Sequence, residues 1–128
     1  MAKDVTPLNA TNWCFPAETE SFLRDLRDNN NRDWFVGQKS VYEAVYKNPA
    51  QAFCAIIENE LATLTGLAHK SKIFRINRDL RFSKDKTPYN THLHISFLPD
   101  GAGQPAWFFG LEPDQLVLGT GVFAFEKL

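Results

Sequence analysis

The chain has 128 residues, which is enough for one domain with one hydrophobic core. Hydrophobic residues make up 44% and charged residues 23%, a composition typical of soluble globular proteins and not of disordered chains. The net charge of −1 argues against a general nucleic-acid-binding protein, and no apolar run approaches the roughly 18 residues of a membrane span. We therefore expect neither nucleic acid nor a membrane as a partner.

The beginning of the chain and its two cysteines favour a cytoplasmic location. Met1 is not followed by the apolar stretch of a signal peptide. Cys14 and Cys54 are far apart, and neither has a second cysteine or a histidine nearby. We expect two reduced thiols here, with a disulfide or a metal pair as the less favoured alternative.

The first half of the chain shows helical patterns in order. The first 15 residues resemble an arm that anchors through Trp13 and Phe15, and a first helix begins at Pro16. Three consecutive asparagines at 29–31 end that helix, because asparagine competes for backbone hydrogen bonds and tolerates left-handed conformations.

Two further helices follow. Asn31 is suited to cap a second helix over residues 32–47. Asn48 and Pro49 indicate the start of a third helix, with asparagine as the N-cap and proline in the first turn. Gly66 is a suitable residue to end this helix.

The second half changes to the alternating pattern of β-strands. Strand-like runs occupy residues 73–76 and 93–97, and a tight turn at 112–114 joins the runs 107–111 and 116–119. The last run continues through Gly119, Gly121, Phe123 and Phe125. Helices followed by strands indicate an α+β fold, a single domain over 1–128 with about three helices on one face of an antiparallel sheet. The last strand would leave an apolar edge, through which a second copy of the chain could form a homo-oligomer.

The segment 72–97 is the strongest candidate for a functional site. Its residues 72–94 carry six basic and two acidic side chains, which predicts a cationic pocket or groove. Arg75, Arg78 and Arg81 lie within seven residues around Asp79. Arginine presents a fork of donors that suits carboxylate or phosphate, so an anion could sit between guanidinium groups that Asp79 orients. In the alternative interpretation, Asp79 pairs with one arginine and the others are solvated.

The loop that follows adds three candidates. Lys84 and Lys86 would add charge at the rim if the loop folds over a ligand, and otherwise are solvated. Tyr89 can donate a hydrogen bond to an anionic oxygen or stack on a ring.

His92 and His94 are two residues apart and share one face of a strand. A His-x-His pair can hold a metal ion, but it lacks a third ligand here and the positive surroundings oppose a divalent cation. His92 can instead act as a general acid or base or hydrogen-bond a ligand, or it can be a partly buried histidine of the polar face. Phosphate-binding glycine loops, nucleophile elbows and zinc-type cysteine spacings are absent from the sequence, so we expect no metal and no cofactor.

The residues resemble a known family over nearly the whole chain. The resemblance rests on Phe15-Pro16 before the first helix, on the run Asn30-Asn31-Arg32-Asp33-Trp34-Phe35, and above all on the long run from Ile73 to His92. Together they are similar to the bacterial and fungal domain of unknown function DUF2461, whose biochemical activity is unassigned.

The resemblance implies a set of signature residues but no mechanism. The set comprises Arg75, Asn77, Arg78, Asp79, Arg81, Lys84, Lys86, Tyr89 and His92. His94 is not part of it, and Asn90 stands where a lysine is usual. Family members usually continue with a helical segment after the last strand, so the resemblance implies a chain truncated relative to the family, either a fragment or a short form that pairs with a partner.

Three functions remain open on the sequence. The first is a module that binds a small anionic or phosphate-bearing ligand through Arg75, Asn77, Arg78, Arg81, Lys84, Lys86 and Tyr89. The second is a hydrolase or phosphoryl-transfer enzyme whose candidate catalytic residues are His92 and Asp79, with arginine stabilising negative charge. The third is a structural or partner-binding domain in which the Arg–Asp cluster only braces the sheet.

Overall fold

The computed structural model of the protein describes residues 13–101 and 103–122. The helices in this part of the chain are α1 (Ala17–Asp28), α2 (Arg32–Gly37), α3 (Lys39–Tyr42), a π-helical turn (Glu43–Lys47) and α4 (Asn48–Thr65). The strands are β1 (His69–Ile73), β2 (Leu93–Pro99), β3 (Ala106–Leu111) and β4 (Leu116–Gly121). They form one antiparallel sheet in the order β1-β2-β3-β4. The α+β prediction is confirmed.

Helix α1 forms where its pattern predicts. Pro16 precedes it in an extended conformation, and acidic side chains occupy the first turn, where the helix dipole favours them. Phe22, Leu23 and Leu26 are buried on one face of α1. The helix ends at Asn29, whose side-chain amide donates to the carbonyl oxygen of Asp25.

The predicted third helix matches α4, with Pro49 in its first turn, whereas the predicted second helix is divided and Asn48 is not a cap. The Asn31 side chain accepts a hydrogen bond from the backbone N–H of Trp34, at 2.8 Å, and Gly66 closes α4 with a φ of 74°. Between these ends, the helix over 32–47 is interrupted after Gly37, and Asn48 has helical dihedrals and no capping hydrogen bond from its side chain. From Lys39 to Thr65 the chain stays helical through the π-helical turn.

The π-helical turn has a physical cause in Pro49. A proline ring in a regular α-helix clashes with the carbonyl four residues earlier, which here belongs to Val45. The wider turn over Glu43–Lys47 displaces that carbonyl. The Val45 oxygen instead accepts a hydrogen bond from the hydroxyl of Thr19, a fully buried residue of α1. The turn therefore also connects α1 to the long helix.

The first strand lies earlier than predicted. Of the predicted run 73–76, only Ile73 belongs to β1. The inward residues of β1 include His69, whose ring hydrogen-bonds the Leu67 carbonyl, and Ser71, which donates to Glu58. Because polar groups take these inward places, the strand has no apolar alternation to detect. The predicted runs 93–97, 107–111 and 116–119 lie within β2, β3 and β4.

The core lies between the helices and one face of the sheet. Leu93, Ile95 and Phe97 of β2 are almost wholly buried, and Phe53 of α4 packs against Phe97 and Phe109. The aromatic rings of Trp13 and Phe15, the two residues through which the arm was predicted to anchor, also pack against Phe53.

Within the described residues, β1 and β4 are the two edge strands of the sheet, and β4 exposes apolar side chains. Leu116 and Leu118 are 58% and 72% exposed. The predicted continuation through Phe123 and Phe125 lies outside the described residues. Both cysteines are free thiols, Cys14 exposed and Cys54 buried. Among the described residues, no helix combines the length and apolar character needed to cross a membrane.

Candidate functional site

Arg78 holds together the loop that follows it. Its Nη1 donates to the carbonyl oxygen of Thr87 at 2.9 Å and to the Thr87 hydroxyl at 2.8 Å, and its Nη2 donates to the Ser83 hydroxyl at 3.1 Å. The carboxylate of Asp85 lies 3.4 Å from Nη1. With its side chain only 23% exposed, Arg78 is the inner anchor of the loop Ser83–Thr87.

Asp79 and Arg81 form an exposed pair. The Arg81 Nε and Nη2 donate to the two carboxylate oxygens of Asp79 at 3.0 and 2.8 Å, and both side chains are more than half exposed. Hydrogen bonds from Arg81 hold the pKa of Asp79 below its ordinary value, and the nearby charge of Arg75 lowers it further. This geometry corresponds to the alternative in which Asp79 pairs with one arginine.

The other predicted residues occupy varied places. Lys86 donates to the carbonyl oxygen of Leu80, whereas Lys84, Arg75 and Asn77 are exposed. Tyr89 is buried and stacks on Phe35, with ring centroids 4.3 Å apart. Tyr89 therefore belongs to the hydrophobic core, and it also lines the cavity described below.

Asn30 fixes the chain near Tyr89 in the manner of a strand partner. Its side-chain amide donates to the Tyr89 carbonyl oxygen at 2.9 Å, and its side-chain oxygen accepts from the Tyr89 N–H at 3.1 Å. The connection between α1 and α2 is thereby joined to the segment that enters β2. Two cavities lie around this junction.

The first, which we call the Arg78 cavity, has a volume of about 420 Å³. Each of its lining residues carries a polar group, and three of them are predicted site residues, Arg78, Tyr89 and His92. The full lining is Arg27, Asn30, Arg78, Asp85, Thr87, Tyr89, Asn90, Thr91 and His92.

The second, the Glu112 cavity, has a volume of about 310 Å³ and is lined by Arg27, Thr91, His92, Glu112, Pro113, Asp114 and Gln115. The two cavities share Arg27, Thr91 and His92, so they adjoin. Together they form what we call the groove. Arg75, Asn77, Asp79, Arg81, Lys84 and Lys86 are not among the residues that line it.

The groove is less cationic than the segment 72–97 led us to expect. Arg27 and Arg78 face three carboxylates in it, those of Asp85, Glu112 and Asp114. Arg27 Nη1 lies 2.9 Å from the Asp114 carboxylate. Two arginines and one carboxylate line the Arg78 cavity, and both arginines are also at ion-pair distance from a carboxylate, Arg78 from Asp85 and Arg27 from Asp114.

His92, directly before β2, and His94, within β2, are stacked on each other. Their ring centroids are 3.5 Å apart with an interplanar angle of 6°, and the His94 Nε2 lies 3.7 Å from a carboxylate oxygen of Glu112. The Nδ1 of His92 is buried and has no hydrogen-bond partner among the described residues. Gly110 makes room for the stack, because a Cβ there would lie 3.1 Å from the His94 ring.

Burial lowers the pKa of both histidines below the ordinary value of 6.5. The neighbouring His94 lowers the pKa of His92 further, and Glu112 opposes the shift in both rings. Both imidazoles are therefore neutral at pH 7. In the described ranges, no cluster of three or more histidine, cysteine, aspartate or glutamate side chains has the geometry of a metal site.

Sequence reasoning missed Arg27, Asn30, Glu112 and Asp114 as site residues. Arg27 appeared only as part of a helix, and Glu112 and Asp114 only as a turn. A signal existed for Asn30, since it belongs to the run that carries the family resemblance, but its role depends on a contact with Tyr89, 59 residues away.

Comparison with known proteins gives a family and no activity. No curated protein and no solved structure matches the chain. The model of a family described as a conserved hypothetical protein, DUF2461, matches residues 18–128, which is nearly the whole chain. The chain belongs to the DUF2461 family.

Proposed function

We propose that the chain binds a small ligand through an anionic group that lies in the Arg78 cavity. The observation that carries this proposal is that Arg27 and Arg78 line one polar cavity together with His92. A guanidinium offers planar, paired donors that suit a phosphate or a carboxylate. Hydroxyl and amide groups of Thr87, Asn90 and Thr91 line the same cavity and can complete the coordination of such a group.

Arg78 is pre-organised for this role. Its hydrogen bonds to the loop Ser83–Thr87 fix the guanidinium before any ligand arrives, so binding costs little side-chain entropy. Its Nε and one Nη2 hydrogen have no partner among the described residues, which leaves donors for a ligand.

The remaining predicted residues have indirect roles in this proposal, either through their charge or as parts of the cavity wall. Arg75, Arg81, Lys84 and Lys86 lie outside the lining of the groove, so they attract an anion through their field and do not contact it. Asn77 pairs with Tyr89 through an isolated antiparallel bridge, and Tyr89 forms a wall of the cavity.

The proposal is tested by thermal shift with a panel of phosphates, nucleotides and carboxylates. A ligand that binds only the folded state raises the melting temperature, by an amount that grows with the ratio of its concentration to its Kd. We expect at least one anion to stabilise the protein and Arg27→Gln to abolish most of that shift. Arg24→Gln is the matched control, because Arg24 has the same exposure on the same helix, also contacts Asp114, and does not line the groove.

Two results would overturn the proposal. One is a panel in which no anion stabilises the protein. The other is a stabilisation that Arg24→Gln reduces as much as Arg27→Gln does, since the effect would then be one of surface charge.

A second candidate, acid–base catalysis by His92, is favoured by one observation. His92 lines both cavities, and its lowered pKa keeps the ring neutral and able to accept a proton at pH 7. Incubation of stabilising phosphate esters with the protein tests it by phosphate release. An enzyme would lose turnover in His92→Gln while keeping the thermal shift; absence of turnover in the wild type excludes this candidate for those esters.

A further inference from the structure

The two halves of the groove differ in the charged residues that line them, and they share Arg27. In the Arg78 cavity, Arg27 and Arg78 outnumber the single carboxylate of Asp85. The Glu112 cavity has the reverse balance, with Glu112 and Asp114 against Arg27 alone. Because the cavities share Arg27, Thr91 and His92, a ligand that extends from one into the other would meet both sets of charges.

Among the three carboxylates that line the groove, that of Glu112 has no arginine or lysine at ion-pair distance within the described residues. Asp114 lies 2.9 Å from Arg27 and 3.8 Å from Arg24, so its carboxylate is paired. The two groups that contact the carboxylate of Glu112 are uncharged at neutral pH: one oxygen lies 3.7 Å from the His94 ring, and the other accepts from the Gln115 amide. Within the described ranges, no lysine or arginine lies at ion-pair distance from it.

Glu112 is also shielded from water, with its side chain 29% exposed. A partly buried carboxylate without a cationic partner loses hydration that only hydrogen bonds or a positive charge restore. A ligand ammonium in the Glu112 cavity would supply that charge. Protonation of His94 is the internal alternative, and burial disfavours it at pH 7.

We infer that the ligand of the groove is a small zwitterion, with its phosphate or carboxylate in the Arg78 cavity and its ammonium group beside Glu112. This inference rests on the proposed function, because it takes the anionic end from it. It adds the ammonium group of the ligand, and it therefore predicts that ligands with an ammonium group bind more tightly than simple anions.

The test compares two ligands of the same length that differ only at the far end. O-Phosphoethanolamine and propyl phosphate share the phosphate ester, and an ammonium in one replaces a methyl group in the other. By isothermal titration calorimetry we expect O-phosphoethanolamine to bind about tenfold more tightly, as one partly screened ion pair allows. γ-Aminobutyrate against pentanoate repeats the comparison for a carboxylate and shows which anionic group the Arg78 cavity takes.

Glu112→Gln removes the charge while it keeps the size and the hydrogen-bonding oxygen, so the preference should disappear in this variant. Asp79→Asn removes a carboxylate outside the groove and should leave the preference intact. The comparison of ligands on the wild-type protein needs no variant, so it decides the matter even if Glu112→Gln does not fold.

The possible failures are distinguishable. Equal affinity for the aminated and methylated ligands, or a preference that persists in Glu112→Gln, overturns the zwitterion and leaves anion binding in place. If neither member of either pair binds, the zwitterion fails, and the thermal-shift panel of phosphates, nucleotides and carboxylates decides separately whether the proposed function stands.

Discussion

The guanidinium of Arg78 donates to oxygens of Ser83, Asp85 and Thr87, and it also faces the larger of the two cavities. Arg81, three residues later in the chain, donates its hydrogen bonds to the carboxylate of Asp79 at the surface. The sequence shows these two arginines as equivalent members of one cluster. Their different surroundings make Arg78 the one that matters for the loop and the cavity.

Replacement of Arg78 by alanine should lower the free energy of unfolding by about 2 kcal/mol, because a partly buried charged group loses several hydrogen bonds and leaves loop carbonyls unsatisfied. Urea denaturation measures this loss. Arg81→Ala is the control and should change stability little, since exposed ion pairs contribute weakly. Equal losses in the two variants would mean that Arg78 does not anchor the loop.

The elements show which local signals suffice and which do not. The cap at Asn31 and the left-handed Gly66 were predictable, because each depends on neighbours within one helical turn. The π-helical turn was not predicted, because Pro49 was interpreted as the first turn of a new helix and the Thr19 hydroxyl that takes up the displaced Val45 carbonyl lies 26 residues away. Likewise, the sequence identified Arg78, Tyr89 and His92 but not Arg27 or Glu112, which α1 and the β3–β4 connection bring to the same groove.

The two hydrogen bonds between Asn30 and the backbone of Tyr89 join the helices to the sheet. Asn30→Ala leaves a buried N–H and carbonyl without partners and should cost about 2 kcal/mol of unfolding free energy. Asn29→Ala is a matched control one residue away, where the exposed side chain bonds only within its own helix. Urea denaturation of the two variants should separate them, and equal midpoints would contradict this role of Asn30.

For the whole molecule, the His92–His94 stack makes stability depend on pH. Both rings have a pKa below the ordinary value of 6.5 in the folded chain, so below about pH 6.5 the unfolded chain binds more protons. The free energy of unfolding should therefore fall between pH 7 and pH 5 and change little between pH 7 and about pH 8. Asp79 and Asp85 affect stability in a separate pH range. Because their pKa values are lowered in the folded chain, the stabilisation they contribute is lost only as the pH falls below about 4 and the carboxylates are protonated.

Urea denaturation at a series of pH values checks this dependence. His92→Gln should flatten the profile between pH 7 and pH 5 because it removes one of the two titrating rings. Asp79→Asn, the control, should alter the profile only in the acid window. A wild-type stability that does not change between pH 7 and pH 5 would show that the stack is not the buried, neutral pair described above.

The location of the anion is the central claim, and an NMR titration of the labelled protein with inorganic pyrophosphate tests it most directly. We predict that the largest shift changes occur at the Arg27 and Arg78 Nε–H groups, the Thr91 amide and the His92 ring, which line the Arg78 cavity. Arg24 and Arg81 should respond weakly. Changes confined to Arg75, Arg81, Lys84 and Lys86, or no saturable change at any residue, would contradict a site in the groove.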